Sequence, residues 1–402
     1  MLNKFGKDKK NFINIFISIL ILTVFSLLTL YSISNNPLSS NSPFIRQLTF
    51  IIFSLIIFSI VKDLKIKFIH DNSSIIYILS YILCFIPFLL PKVESTYRWI
   101  DFGFFYIQPS EFLKLTTVLI VAKFLSNHHL EVKESRIIIF PTLFTLLSCF
   151  IVLQQPDLGT AIIIFAPLIP MLLWSGVNTF TVFLMIAPFI TIIAASNLVF
   201  FYLWAVVMFI IFLTFEVSLT KKTFLYFANI FAGLLTPIFW NSLAEYQKER
   251  ILTFLNPDLD PMGSAYHIIQ SITAIGSGGF WGKGWQLGSQ TQLKFLPVQE
   301  SDFILSVIAE ELGFVGILIL MIITFHFIKN LLDVAFKISD YFSSLVIIGF
   351  TSIFLSHIFI NSAMTIGLLP VKGLPFPFIS AGGSFLLLCY LMIGIITSIS
   401  KN

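Results

Sequence analysis

Charge is scarce in this chain. Of its 402 residues only 24 are Lys or Arg and 20 are Asp or Glu, 11% together, where a soluble globular domain carries about 25%. Such a composition excludes an ordinary water-soluble enzyme. Cysteine is scarcer still. Cys84, Cys149 and Cys389 lie far apart, each in an apolar run, which excludes a disulfide framework and a cysteine metal site and leaves them as small packing residues. The six histidines form no ligand-spaced cluster. The alternating ten-residue pattern of a membrane barrel is missing. The first apolar run, about Phe12 to Ile33, is too long for the core of a secretion signal and has no small-residue cleavage site after it, so it is expected to stay as a span.

What fills the sequence is hydrocarbon. Hydrophobic residues make up 57% and aromatics 16%, with 47 phenylalanines. Apolar runs near the ~20-residue spanning length fall at 11–33, 45–61, 74–91, 111–126, 137–154, 158–175, 178–196, 198–216, 223–240, 303–328, 341–367 and 377–398. The expected fold is therefore an all-α polytopic membrane protein, a single integral domain over 1–402 with about 10–12 transmembrane helices. With the N-terminal Lys4, Lys7, Lys9 and Lys10 in the cytoplasm, twelve spans place Lys62, Lys65, Lys67, Lys133, Arg136, Lys221, Lys222, Lys329, Lys337 and Lys401 on the same side, as the positive-inside tendency requires. Both termini are then cytoplasmic. The stretch 178–240 holds almost no charge and reads as scaffold. The segment 241–302 is polar and glycine-rich, contains no run long enough to span, and reads as a large extracytoplasmic loop carrying chemistry.

Five polar signals interrupt the oil, and four of the segments involved fall on the outer face. The first is Tyr97-Arg98-Trp99 with Gln108-Pro109-Ser110-Glu111-Phe112-Leu113-Lys114. Pro, Ser and Glu open a helix well, and Glu111 and Lys114, three apart, share its face. They are either a functional intramembrane pair or an interfacial anchor. In the second, Gln154-Gln155-Pro156-Asp157-Leu158-Gly159-Thr160, Asp157 is either a functional carboxylate or a helix cap. The third, Asn256 to Gly284, holds Asp258 and Asp260 in turn chemistry, then His267, and then glycines around Lys283 that let backbone approach a ligand. Its spacing fits neither a phosphate-binding P-loop nor a dinucleotide fingerprint. In the fourth, Asp302, Ser306 and Glu310 follow at four-residue steps and Glu311 adjoins. Carboxylates inside a membrane helix are a functional hypothesis by default; the alternative is a pair turned to water or to a neighbouring helix. The fifth runs from Asn361 through Pro370-Val371-Lys372-Gly373-Leu374-Pro375-Phe376-Pro377 to Ser380 and Ser384. Irregular backbone at membrane depth lines a cavity, or else it is a plain turn whose Lys372 snorkels. His326 and His357 sit in apolar helices as packing or interhelical hydrogen-bonding residues.

Taken together and in this order, the motifs resemble the SEDS family (shape, elongation, division and sporulation) of bacterial membrane glycosyltransferases, over about Arg98 to Ser384. The run Gly288-Ser289-Gln290-Thr291-Gln292-Leu293 is more similar to the rod-shape branch, while Lys372 is more similar to the division branch. The chain departs from the pattern at Glu300, where His or Gln is usual, at Ala381, where Tyr is usual, and in having two spans more than the common ten. The resemblance implies a peptidoglycan glycosyltransferase of the bacterial plasma membrane that polymerises lipid II for elongation and cell shape. It makes Asp260 the catalytic carboxylate. It places Arg98, Glu111, Lys114, Asp157, Lys283, Asp302, Glu310, Lys372 and Ser380 around the central cavity. Asp260 would take the proton from a sugar hydroxyl, with its basicity raised by partial burial. Lys114, Arg98 or a divalent cation, Mg or Mn, would meet the pyrophosphate leaving group. The implied partners are lipid II, a glycan on undecaprenyl pyrophosphate, a class B penicillin-binding protein and other elongation-complex proteins, with no nucleic acid. Two other functions use the same polar cavity: a lipid II flippase, which needs no large outer loop, and a non-catalytic scaffold, for which Asp260 is dispensable.

Overall fold

The computed structural model describes residues 2–401 except 94–95, 104, 129–135, 216–218, 243–244, 246–247, 249–251, 254–255, 257–259, 262 and 264. Side chains of 2–10, 221 and 239 are likewise left aside. Asp258, Glu216, Lys133 and Ser264 thus lie outside the described residues.

The chain is helical almost throughout. α1 (Leu2–Ile33), α2 (Pro43–Val61), α3 (Ile66–Leu83) and the one-turn α4 (Ile86–Leu89) come first. A small antiparallel ribbon follows, β1 (Ile100–Asp101) on β2 (Tyr106–Ile107). Then come α5 (Pro109–Asn127), α6 (Arg136–Gln154), α7 (Leu158–Phe165), α8 (Leu168–Trp174), α9 (Thr179–Ala194), α10 (Leu198–Thr214), α11 (Leu219–Leu234) and α12 (Thr236–Ser242). The last part holds α13 (Tyr266–Gly278), α14 (Ser289–Gln292), α15 (Ile304–Lys337), α16 (Tyr341–Thr365) and α17 (Gly383–Lys401).

Among the described residues, eight helices are long and apolar enough to cross a membrane. The apolar stretches 158–174, 179–194 and 198–214 are shorter. With α5, whose 19 residues include Glu111 and Lys114, helices occupy all twelve predicted runs. Their outer faces explain the composition: Leu20, Phe53, Ile78 and Phe150 point outward with half or more of their surface uncovered. In a bilayer such surface meets lipid at no cost.

α5, α15, α16 and α17 build the main core, with Leu113, Leu119, Phe327, Phe350 and Phe354 almost wholly buried. The helices read as scaffold have a smaller core of their own, around Phe180, Ala187, Met208 and Phe212.

Polar contacts sort the two ends of the bundle. At one end Lys401 pairs with Asp63 at 2.6 Å, His70 meets Asn127, and Asn14 donates to Asn330. This end gathers Lys62, Lys65 and Lys401. The motif-bearing turns gather at the other end.

Two glycines shape that second end. Gly313 has φ +67 within α15, a conformation other residues resist, and it divides the 34-residue helix. Into the break comes the loop after α13: Phe314 N donates to Gly279 O at 3.0 Å and Lys283 N to Glu310 O at 2.9 Å. Gly278 permits the approach, because a Cβ there would stand 2.0 Å from the Ala309 carbonyl oxygen.

Candidate active site

At the motif end a cavity of about 520 Å³ opens between the ribbon, the starts of α2, α5 and α7, and the 300–302 and 373–385 loops. Arg98, Glu111, Asp157 and Asp302 all line it. Side chains spread from position 98 to position 302 therefore converge on one space.

Each reaches it for a local reason. Pro109 occupies the first turn of α5 and sets Glu111 in that turn, as expected for a proline and an acid at a helix start. Glu111 is 5% exposed and Lys114 1%, and Lys114 Nζ lies 2.8 Å from Glu111 Oε2. The interfacial-anchor alternative is therefore set aside: this is a buried ion pair. Its third member is His357 on α16, fully buried, whose Nε2 stands 3.2 Å from Lys114 Nζ. His357 Nδ1 is 3.0 Å from the Pro375 carbonyl oxygen. An ammonium only donates and a carbonyl only accepts. The contacts therefore assign the neutral tautomer with its hydrogen on Nδ1. Lys114 also lies 5.2 Å from the centre of the Phe385 ring. Glu111 faces the cavity, while Lys114 stays behind its wall.

Asp157 caps α7. It accepts from Thr160 N at 3.0 Å and Thr160 Oγ1 at 2.8 Å, and Gln108 Nε2 donates to it at 2.9 Å. The two readings of this residue are not alternatives, since the cap itself lines the cavity. Arg98 Nε donates to Gln155 O at 3.1 Å, and its other nitrogen reaches Pro156 O, so the guanidinium holds the QQPD turn.

Asp302 departs from the expected helix face. α15 begins at Ile304, so Asp302 precedes it and turns to the cavity, while Ser306 turns to Ser271 at 2.7 Å. Burial pushes the Asp302 carboxyl up to about 6, the negative charge of Glu300 adds to that, and the Ser301 hydroxyl opposes it.

Asn361 binds the backbone oxygens of Asp302 and Leu374 at 3.0 and 2.7 Å. Ser380 Oγ donates to Ser301 O at 2.6 Å, and Ala381 N donates to Glu300 O at 2.8 Å. Ser380 therefore ties two loops together from behind rather than lining the space. Lys372 is half-buried; its carbonyl packs on Gly159 and the next residue, Gly373, lines the cavity.

Glu310 and Lys283 are elsewhere, and their assignment to the cavity is corrected. Glu310 is fully buried. It pairs with Lys283 at 2.8 Å and accepts from Gln290 N at 2.9 Å and Thr291 N at 3.0 Å. It anchors the glycine-rich loop. Glu311 is held by Ser32 and Gln292. Glu310 and Glu311 thus face a neighbouring segment, the second of the two alternatives for them.

Asp260 is exposed, not partly buried as expected, and is not among the residues lining the cavity. Its carbonyl oxygen accepts from Gly263 N and Ala265 N, both at 3.3 Å, so it sits on a turn leading into α13. One residue inside α13, His267 stacks on Phe303 with 7° between the rings, and Phe303 adjoins Asp302. Among the described residues, no group of three or more His, Cys, Asp and Glu side chains could hold a metal ion. One lining residue carried no sequence signal beyond its place in the first turn of a spanning helix: Arg46 on α2, exposed toward the cavity.

The family model described as Cell cycle protein (FtsW, RodA, SpoVE) matches residues 11–206 and 202–402. The chain belongs to this family. It is 32% identical to the peptidoglycan glycosyltransferase MrdB of Escherichia coli K12, over 96% of this chain and 92% of that protein. It is 28% identical to the peptidoglycan glycosyltransferase RodA of Treponema pallidum, over 96% of both. Its relatives place it on the rod-shape side of the family, as the run 288–293 predicts. Among solved structures, a chain of a peptidoglycan synthase complex superposes with a TM-score of 0.74 at 22% identity, covering 96% of each chain. The rod shape determining protein RodA of Thermus thermophilus superposes with 0.63 at 19% identity, covering 96% of this chain and 95% of that one. At those identities the likeness is one of fold.

Proposed function

We propose that this chain polymerises lipid II into glycan strands at the outer face of the bacterial plasma membrane, using the cavity at the motif end. The activity itself is peptidoglycan glycosyl transfer. One observation carries the proposal: a membrane bundle with almost no charge collects Arg98, Glu111, Asp157 and Asp302 around one space at the end opposite its basic loops.

The chemistry follows from what a sugar hydroxyl and a pyrophosphate need. A hydroxyl is a weak nucleophile until a positioned carboxylate takes its proton in the transition state. Asp260 is proposed for this step. Its turn enters α13, whose His267 stacks on Phe303, the chain neighbour of Asp302, and an exposed carboxylate on a loop can close on the acceptor when substrate binds. The pyrophosphate leaves with growing negative charge, which fixed cations stabilise. Arg46 and Arg98 line the cavity and are proposed for that role. Lys114 supports the site from behind by fixing Glu111. A divalent cation, Mg or Mn, is proposed as a companion of the pyrophosphate rather than a resident of the protein. One inverting displacement converts an α-linked donor into a β-1,4 product, so one base suffices. A class B penicillin-binding protein is proposed to crosslink the strands, and both termini are proposed to be cytoplasmic.

The test is purified protein, with its partner, fed lipid II and the products resolved by size. Strands of many disaccharides support the reading. Lipid II that is moved across vesicles but not joined would overturn it in favour of the flippase.

A further inference from the structure

The segment from α13 to α14 enters and leaves the bundle at the same end. α13 descends beside the first turns of α15: His267 stacks on Phe303, Ser271 meets Ser306 at 2.7 Å, and Gly278 packs on Ala309. The chain then turns and climbs along α1. Trp285 Nε1 donates to Leu28 O at 3.4 Å, and further up Gln292 Nε2 donates to Ser32 O at 3.1 Å. Between the two limbs lies a tip, 279–285. It meets Phe314, ten residues into α15, and Leu28, five residues short of the end of α1. At 1.5 Å per residue the tip hangs about 15 Å down α15 and about 7 Å below the end of α1. Both helices are apolar and long enough to cross a membrane.

Irregular backbone at that depth has to satisfy its own polar groups, and this tip does so at the break in α15. Gly279 O and Phe280 O accept from Phe314 N and Val315 N at 3.0 and 3.2 Å. Lys283 N and Gly284 N donate to Glu310 O and Glu311 O at 2.9 and 3.0 Å. The charge of Lys283 turns inward, its Nζ 2.8 Å from Glu310. The side chains left facing out are aromatic. Trp281 is 77% exposed, and Phe280 and Trp285 are roughly half exposed. They continue two rows that already face lipid: Phe314, Leu318 and Ile322 on α15, and Leu20, Val24 and Leu28 on α1, all exposed at four-residue steps. Phe280 stacks on Phe314 with ring centres 5.7 Å apart, and Trp285 stacks on Tyr31 at 5.8 Å. Tryptophan collects at the boundary of membrane and water, and a contiguous apolar patch marks a contact surface.

We propose that Phe280, Trp281 and Trp285 seat this tip among the lipids of the leaflet at the motif end, so that the segment 241–302 is held to the bilayer by a re-entrant hairpin instead of lying wholly in water. The occupant of the aromatic face is bulk lipid, because the face is continuous with the lipid-facing rows of α1 and α15. The seat fixes one end of α13. At the other end is the turn of Asp260, whose carbonyl oxygen accepts from Ala265 N.

The test uses purified full-length protein in lipid nanodiscs. The three native cysteines are buried, so a bimane probe can be placed by Trp281→Cys and, separately, by Leu287→Cys on the climbing limb. Trp281→Cys replaces an exposed ring and leaves the backbone pairing of the tip in place. Phe280→Cys gives a second reading at the tip. Iodide quenches from water, and lipids with a nitroxide on the acyl chain quench from the bilayer. At 280 and 281 the lipid-borne quencher is expected to act strongly, and iodide several-fold less than at 287. Iodide quenching at 280 and 281 as strong as at 287 would overturn the seat, because the tip would then lie in water. Protection from both quenchers would overturn it too, because protein and not lipid would then cover the rings.

Discussion

Lys114 is a cation withdrawn from water inside a membrane bundle, and it is tolerable there only because Glu111, His357 and the Phe385 ring surround it. Removing one member of a buried pair strands the other. Lys114→Ala is therefore expected to cost ~3–5 kcal/mol, read as a lowered melting temperature in detergent. Glu111→Ala/Lys114→Ala is expected to recover part of that loss, because no lone charge remains; strictly additive losses would mean that the two are not coupled. Asp302 behaves differently. Its folded carboxyl titrates near 6 against an ordinary value of 3.8, so between those values the native state binds more protons than the unfolded one. Stability then falls as pH rises from 3.8 through 6. Asp302→Asn removes that slope. The variant is expected to melt higher than wild type at pH 8, with the gap closing below pH 4; parallel melting curves at both pH values would contradict the burial argument.

The loop between α13 and α15 depends on one carboxylate. Glu310 accepts from two backbone amides of α14 and from Lys283, and bonds to a charged acceptor are worth roughly twice neutral ones. Glu310→Gln is expected to destabilise by ~2 kcal/mol and to speed hydrogen exchange at Gln290 and Thr291 while α16 stays protected. Unchanged exchange there would show that the loop is held by other contacts. The sequence made part of this element legible. Glu111, Asp157 and Asp302 stand out because an oily chain has few structural uses for a charge near membrane depth, and the helix-start chemistry of Glu111 and Asp157 is local. What Glu310 does was not legible, because its partners are backbone amides twenty residues upstream, delivered by a positive φ at Gly313. Asp302 was misplaced onto the helix because nothing local announces that α15 starts at Ile304. The exposure of Asp260 was missed because turn residues look alike whether covered or open.

For the whole molecule, sidedness is the proposal on which the shared site depends. The basic turns and the motif turns lie at opposite ends of the bundle, so labelling can tell them apart. The three native cysteines are buried and should stay silent toward an impermeant thiol reagent. A cysteine at Leu287, 69% exposed, is expected to label in whole cells after outer-layer permeabilisation, and one at Lys65 only after lysis. The reverse pattern would put the cavity in the cytoplasm, where a wall polymerase has no use for it. The twelve runs were legible because hydrophobic length alone sets them. The separate core of α9 to α11 was not, since which helices pack together depends on side-chain shape rather than hydropathy.

The most direct test of the central claim is Asp260→Asn in the purified lipid II assay. Asp260 is exposed, so the variant is expected to melt with wild type and to bind its partner as well. It is expected to make no glycan strands, because the amide cannot take the acceptor proton. Strands made by Asp260→Asn at the wild-type rate would contradict the account.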